Sequence, residues 1–169
     1  MAAGSAHCIS SAPGRCQRGL SLGQRSVDDQ SNEITAIPDL LDTLMVRGCI
    51  VTLDAMGCQR DIACKILDRG ADYLITLKAN QGRMFVAVRD HCNETCFGRS
   101  AGLRPACDTF DDSHGRVGRR RVFVCPQTNT LEALRDWPVL RTVLAVETIR
   151  SVNGCNLAVN SSSNCLLVR

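Results

Sequence analysis

The sequence contains no apolar run long enough to cross a bilayer. Its first residues, Met1 to His7, do not combine a charged region with an apolar core, so they do not resemble a signal peptide. The G-x-S-x-G, Walker and dinucleotide-binding motifs are also absent. The lack of a Gly-rich phosphate loop disfavours a small nucleotide-binding domain, and the lack of targeting features predicts a cytoplasmic protein.

Disorder is excluded by the balance of apolar and charged residues. Of 169 residues, 44% are hydrophobic and 22% are charged, which is typical of a globular chain. This length predicts one domain with one sizeable core.

Lysine is scarce, with two residues against 18 arginines. The net charge is only +3, yet four arginines fall within six positions: Arg116, Arg119, Arg120 and Arg121. Arginine binds phosphate well because its planar fork reaches two oxygens at once. The cluster therefore favours contact with a nucleic-acid backbone, and the alternative is a solvated face of a strand or loop.

The 11 cysteines follow no metal-binding pattern, since no C-x-x-C occurs. The nearest pair, Cys92 and Cys96, has three intervening residues and is the one candidate for a metal site. The favoured interpretation is scattered reduced thiols acting as small buried hydrophobes. Three cysteines within apolar patterns fit this interpretation: Cys49, Cys64 and Cys125.

The clearest pattern is a strand–helix–strand unit. The apolar runs Cys49 to Leu53 and Tyr73 to Leu77 have strand length, and Gly57 to Arg69 between them is amphipathic. A right-handed crossover would make the two strands parallel. Asp54 follows the first strand directly, at the end where ligands and metals sit in open α/β sheets.

The remaining pattern is weaker. Two segments near the N-terminus suggest a hairpin, and the residues after Arg150 show no periodic apolar face. The composition of 151–169 therefore predicts a disordered tail, and residues 1–150 are predicted to form the domain. The other predicted elements are a hairpin of His7 to Ser11 and Leu20 to Val27, a helix from Pro38 to Gly48, a helix from Asn80 to Asn93, a loop from Glu94 to Arg116, strands at Arg121 to Cys125 and Thr142 to Ile149, and a short helix at Leu131 to Trp137.

Asp54 has two interpretations. A carboxylate beyond a buried strand can hold Mg²⁺, which takes one or two carboxylates and completes its shell with waters and substrate phosphates. Two such ions about 3.5–4 Å apart drive phosphoryl transfer. Alternatively, Asp54 caps the helix or turn that follows it.

Polar residues elsewhere could assist at the same sheet edge. Lys78, Asn80 and Gln81 end the second strand and would lie near Asp54 if the strands are parallel. There they could bind phosphate or orient a metal-bound water, or they could form an ordinary polar turn. His114 begins the basic segment and could contact phosphate or carry a proton, or it could be an exposed loop residue.

Several of these strings closely resemble the bacterial insertion-sequence transposases of the H-repeat-associated type, within the wider DDE family. The matching strings are SNEITAIPDLLDTL, GCIVTLDAMGCQRDIA, GADYLITLKANQ and HGRVGRRRVFV, followed by Trp137-Pro138. The resemblance covers roughly residues 7 to 150, and TLDAMGCQ and SNEITAIP are its specific motifs.

The resemblance implies an α/β, RNase H-like mixed sheet flanked by helices. In that family three acids bind two Mg²⁺ or Mn²⁺ ions, and the enzyme nicks the element's end and joins it to target DNA. Asp54 matches the second acid. DNA is the implied partner of Asp54 and of the basic and polar residues Lys78, Asn80, Gln81, His114, Arg116, Arg119, Arg120 and Arg121.

The sequence also departs from the family. The first acid's Asp-Gly-Lys motif and the third acid's Trp-x-x-Glu-Asn motif have no match, and Glu147 lies within a predicted strand. We therefore expect a fold truncated at both ends, without its first core strand and last catalytic helix, and inactive alone. The alternative is a non-enzymatic module that binds DNA or pairs with itself or with a full-length transposase and interferes with it.

Overall fold

The computed structural model describes residues 7–10, 33–97, 103–113, 116–126, 128–152 and 164–169. Within these ranges the chain is α/β, as the sequence predicted. Three helices are present: α1 (Glu33–Thr43), α2 (Arg60–Asp68) and α3 (Gly82–Cys92). The strands are β1 (His7–Ser10), β2 (Cys49–Leu53), β3 (Asp72–Leu77), β4 (Cys107–Ser113), β5 (Arg116–Cys125), β6 (Thr142–Val152) and β7 (Asn164–Val168).

The first of two compact units contains the predicted strand–helix–strand motif. It comprises the described residues up to Thr76, together with Trp137–Leu140 and Val168–Arg169. Strand β2 pairs antiparallel with β1 and parallel with β3, so the sheet is mixed. In the parallel pair Leu53 lies opposite Ile75, which confirms the predicted direction.

Helix α2 connects these strands and buries one apolar face. Ile62, Ala63 and Ile66 are buried, as their spacing predicted, whereas Arg60 and Asp61 are exposed. Parallel strands require a crossover connection, and the helix with its short flanking segments supplies it. The predicted helix of Gly57 to Arg69 was too long by a few residues at its start.

Helix α1 differs from its prediction at both ends. It begins at Glu33 and includes Pro38, and it ends at Thr43. Proline at this position removes one donor from the helix but does not prevent it, because its fixed φ is helical. Gly48 does not end the helix; with φ +73 it turns the chain into β2 and donates its N–H to the Gly70 carbonyl at 2.8 Å.

An ion-pair cluster connects α1 to α2. Asp42 of α1 accepts from Lys65 at 2.7 Å and also pairs with Arg69. All three side chains are a third or more exposed, so water screens these pairs and they contribute little stability.

Tyr73 is the largest fully buried side chain of the first unit. Its hydroxyl donates to the Pro138 carbonyl at 2.6 Å, and its own carbonyl accepts from the Arg169 N–H at 3.3 Å. Burial raises the pKa of Tyr73 to about 12. This residue therefore fixes β3 against two segments that are distant in sequence.

The second unit comprises Leu77–Asp136 and Arg141–Leu167, apart from residues outside the described ranges. Its strand order is β7-β6-β5-β4, and β5 pairs antiparallel with both β4 and β6. Helix α3 contributes the buried Val88, and the strands contribute Phe123, Val143 and Leu167.

Strand β4 occupies a region that the sequence analysis assigned to a loop. Its sequence, CDTFDDS, has no alternation of apolar and polar residues. The strand forms because its backbone pairs with β5 over seven residues, from Cys107 opposite Val122 to Ser113 opposite Arg116. The strand lies at the end of the strand order, and its residues Cys107 to Phe110 are exposed, so they carry no apolar signal.

The last strands also extend beyond their predicted limits. Strand β5 begins at Arg116 instead of Arg121, and β6 continues to Val152. The sequence analysis predicted no packed element after Arg150, yet β7 forms there and buries Cys165 and Leu167. The predicted short helix near Leu131 appears as two single turns of 3-10 helix.

The second arm of the predicted N-terminal hairpin, Leu20 to Val27, falls outside the described residues. No helix in the described ranges is long and apolar enough to cross a membrane.

Candidate functional site

Asp54 lies directly after β2, as predicted, and its side chain is exposed. Its Oδ1 accepts the N–H of Met56 at 3.1 Å, so Asp54 caps a single 3-10 turn of Ala55–Gly57. The capping alternative from the sequence analysis is therefore observed. It uses one carboxylate oxygen and leaves acceptor capacity on the other.

The residues after Asp54 determine its exposure. Ala55, Gly57 and Cys58 are all buried, so the turn folds inward and its cap points outward. A side chain at Gly57 would be crowded, because an added Cβ would lie 3.0 Å from Leu53 Cβ. Burial of Cys58 raises its pKa to about 12, so this thiol stays protonated at neutral pH.

Asp54 alone does not make a two-metal centre. Among the described residues, no group of three or more His, Cys, Asp or Glu side chains is placed to hold a metal ion. Two bridging Mg²⁺ ions need several fixed carboxylates, because one carboxylate sets neither their separation nor their geometry. The residues present therefore do not fit the complete metal centre.

Lys78, Asn80 and Gln81 follow β3, as predicted. Lys78 is extended and precedes a 3-10 turn of Ala79–Gln81, in which the Gln81 N–H donates to the Lys78 carbonyl at 3.0 Å. Lys78 and Asn80 are exposed and Gln81 is half-buried. Helix α3 then begins at Gly82 rather than Asn80. These residues belong to the second unit and Asp54 to the first.

The arginine cluster is divided between the two faces of β5. Side chains alternate along a strand, so Arg119 and Arg121 share the face of the buried Phe123. Arg120 lies on the opposite face and is exposed. Arg116 is the first residue of β5, and His114 falls outside the described residues.

Arg119 is held by β4. Its Nε and Nη2 donate to the two carboxylate oxygens of Asp108 at 2.9 and 2.6 Å, in a two-pronged contact. Its guanidinium lies 4.9 Å from the ring centre of Phe110. The hydrogen bonds from Arg119 lower the pKa of Asp108 below its usual range.

Arg121 is held by β6. Its guanidinium pairs with Glu147, which lies opposite it in the β5–β6 ladder and is only 8% exposed. The guanidinium also lies 5.6 Å from the Phe123 ring centre. Removal of Arg121 would leave a buried carboxylate uncompensated, so this arginine has a structural role.

Sequence reasoning did not find Asp108 or Glu147 as partners of the arginines. Asp108 lay within the predicted loop, and only the strand register places Glu147 opposite Arg121. Glu147 was correctly placed within a strand and was not assigned to the family's third acid. Contact between the arginine cluster and DNA stays a prediction. Among residues 119–121, Arg120 is the arginine whose side chain faces away from these ion pairs.

Comparison with known proteins identifies the class of protein to which the chain is related. The chain is 38% identical over 139 residues to an uncharacterized protein encoded in the dhlA 3' region of Xanthobacter autotrophicus. It is 39% identical over 137 residues, and 44% identical over 109 residues, to two Escherichia coli proteins, named "H repeat-associated putative transposase YhhI" and "YbfD". These alignments cover 82%, 79% and 63% of this chain.

The resemblance drawn from the motifs is thus confirmed: the chain is homologous to transposases of the H-repeat-associated type. It spans 46%, 35% and 41% of the lengths of these three relatives. No family model matches the chain, and no solved structure matches it.

We predict that two substitutions distinguish the contribution of the Asp54 capping hydrogen bond to stability from that of its charge. Asp54→Ala removes the acceptor for Met56 N–H and should lower the free energy of unfolding by about 0.5–2 kcal/mol, whereas Asp54→Asn keeps an acceptor and should cost less. Urea denaturation followed by circular dichroism measures both. Equal losses in the two variants would show that the cap does not stabilise the turn.

Proposed function

We propose that this chain is related by descent to transposases that cut and join DNA at insertion-element ends by two-metal phosphoryl transfer. In this proposal Asp54 is the second of three metal-binding acids, and the core is RNase H-like. The supporting observation is the exposed carboxylate of Asp54 at the end of β2, within TLDAMGCQ, in a chain homologous to transposases.

Chemistry limits what this sequence does alone. In the family, Mg²⁺ or Mn²⁺ would bind the acids and supply activation of the attacking oxygen. Asp54 would contribute one carboxylate, and the sequence has no match for the other two acids. The described residues supply no substitute group. We therefore propose that the purified 169-residue chain does not cleave or join DNA.

A nicking assay tests this proposal without knowledge of the element's ends. Supercoiled plasmid incubated with the purified chain and Mn²⁺ should accumulate no more open circles than with the Asp54→Asn variant, because neither protein can fix two ions. A full-length relative such as YhhI serves as the comparison. Nicking that requires Mn²⁺ and disappears in Asp54→Asn would contradict the proposed inactivity of the chain.

A second candidate function is binding to the DNA backbone without catalysis, alone or paired with another copy or a full-length transposase. The supporting observation is Arg120, which is exposed and points to the face of β5 opposite the two ion-paired arginines. Such a chain could compete with a full-length enzyme for DNA while lacking the means to cut it.

We predict a salt-dependent affinity for duplex DNA, measured by fluorescence anisotropy between about 50 and 200 mM salt. Arg120→Gln should reduce the slope of log K against log salt by about 0.9, the value of one phosphate contact. Arg135→Gln is the matched control, since Arg135 is also exposed but lies outside the cluster and pairs with Glu132. A flat response in the unmodified chain would rule out backbone contacts.

A further inference from the structure

Four buried thiols meet inside the second unit. Cys92 ends α3, Cys96 lies in the π-helical turn that follows, Cys125 ends β5 and Cys165 lies in β7. Each is at most 4% exposed, and each belongs to the second unit. Neither proposed function uses them, so they require a separate explanation.

Cys125 is at the centre of the closest contacts. Its Sγ lies 2.7 Å from the Sγ of Cys92 and 3.3 Å from that of Cys96. A disulfide bond is about 2.05 Å long, so the first pair needs an approach of only roughly 0.7 Å to bond. Both sulfurs are buried within the second unit.

The proton distribution in this pair is unequal. Hydrogen bonds with Cys92 lower the pKa of Cys125 and of Cys165, and the same contacts raise the pKa of Cys92. Burial raises the pKa of Cys96 to about 12. Since the thiolate is the nucleophile in sulfur chemistry, Cys125, whose Sγ lies 2.7 Å from that of Cys92, is the thiolate placed to react with it.

The spacing of the sulfurs argues against a metal centre, which the sequence analysis considered for Cys92 and Cys96. A tetrahedral zinc with Zn–S bonds of about 2.3 Å holds its sulfurs roughly 3.8 Å apart. The Sγ–Sγ separations of 2.7 and 3.3 Å are both shorter. Among the described side chains no metal-binding group is formed.

We propose that Cys92 and Cys125 form a reversible disulfide that joins the end of α3 to the end of β5. With a peroxide as the two-electron oxidant, the Cys125 thiolate attacks one oxygen and becomes a sulfenic acid as hydroxide leaves. The Cys92 thiol then attacks that sulfur, and the S–O bond breaks to release water. Two thiols are oxidised, one peroxide is reduced, and the released hydroxide takes the proton given up by Cys125 to form a second water.

The bond would close a loop across 33 positions of sequence. It would restrict the unfolded chain and thereby stabilise the oxidised second unit. Reduction would restore the hydrogen-bonded thiol pair. The oxidation state of this pair would thus set the stability of the unit that carries Arg120, and the inference does not rest on either proposed function.

Oxidants reach buried sulfurs slowly, so the test measures the thiol–disulfide equilibrium rather than the rate of oxidation. The native chain is incubated in buffers of graded ratios of oxidised to reduced dithiothreitol, then blocked with N-ethylmaleimide in denaturant and weighed by mass spectrometry. We expect a species that lacks two maleimide adducts, in which the Cys92–Cys125 crosslink outnumbers any other by about tenfold or more. Its denaturation midpoint should exceed that of the reduced chain.

Peptide mapping requires one additional variant. Trypsin leaves Cys92 and Cys96 together on residues 90–99, so the Cys96→Ala chain is needed to assign the crosslink to Cys92. The crosslink should persist in Cys96→Ala and in Cys64→Ala, a matched control at an exposed thiol. It should be absent from Cys92→Ala.

Three results would overturn the proposal. One is a crosslink of Cys125 mainly to Cys96 or Cys165, and another is pairing without preference among the thiols. The third is a chain that purifies with one equivalent of zinc released by alkylation of these cysteines, since metal-bound thiolates would then explain the cluster. The assignment in the Cys96→Ala chain is decisive even if Cys92→Ala does not fold.

Discussion

The parallel pairing of β2 with β3 is the constraint on which the first unit depends. It requires a crossover, which α2 provides by burying Ile62, Ala63 and Ile66 beneath a polar outer face. The same pairing fixes where β2 ends, and the buried turn of Ala55–Gly57 then directs Asp54 outward. Packing of the TLDAMGCQ segment, one of the specific motifs of the sequence, thus leaves the Asp54 carboxylate exposed.

In the second unit, a similar constraint limits the basic residues. Register along β5 places Asp108 and Glu147 beside Arg119 and Arg121, so two cations are used to hold neighbouring strands. Arg120, one residue away, faces the other side. A dense run of arginine in a sequence can therefore serve structure and ligand binding on alternate residues, because a strand presents its side chains to two faces.

The sequence predicted β2, α2 and β3 because their apolar patterns match their periods and their burial. It did not predict β4, whose polar residues pair with β5 through the backbone and through the Asp108–Arg119 contact, or β7, which is short and follows a Ser- and Asn-rich stretch. Asp54 was found from its motif, and its cap was one of two alternatives. The partners of Arg119 and Arg121 and the meeting of Cys92 with Cys125 depend on strand register and on contacts across long separations, which no local pattern encodes.

We propose above that Asp54, at the end of β2, is a metal ligand without partner carboxylates. Paramagnetic broadening of amide signals by Mn²⁺, measured by NMR on the ¹⁵N-labelled chain, tests it most directly. We expect broadening at Asp54, Ala55 and Met56 only at millimolar Mn²⁺, because one carboxylate binds weakly. This effect should disappear in Asp54→Asn. Broadening that survives this substitution, or tight binding of two ions, would contradict the claim.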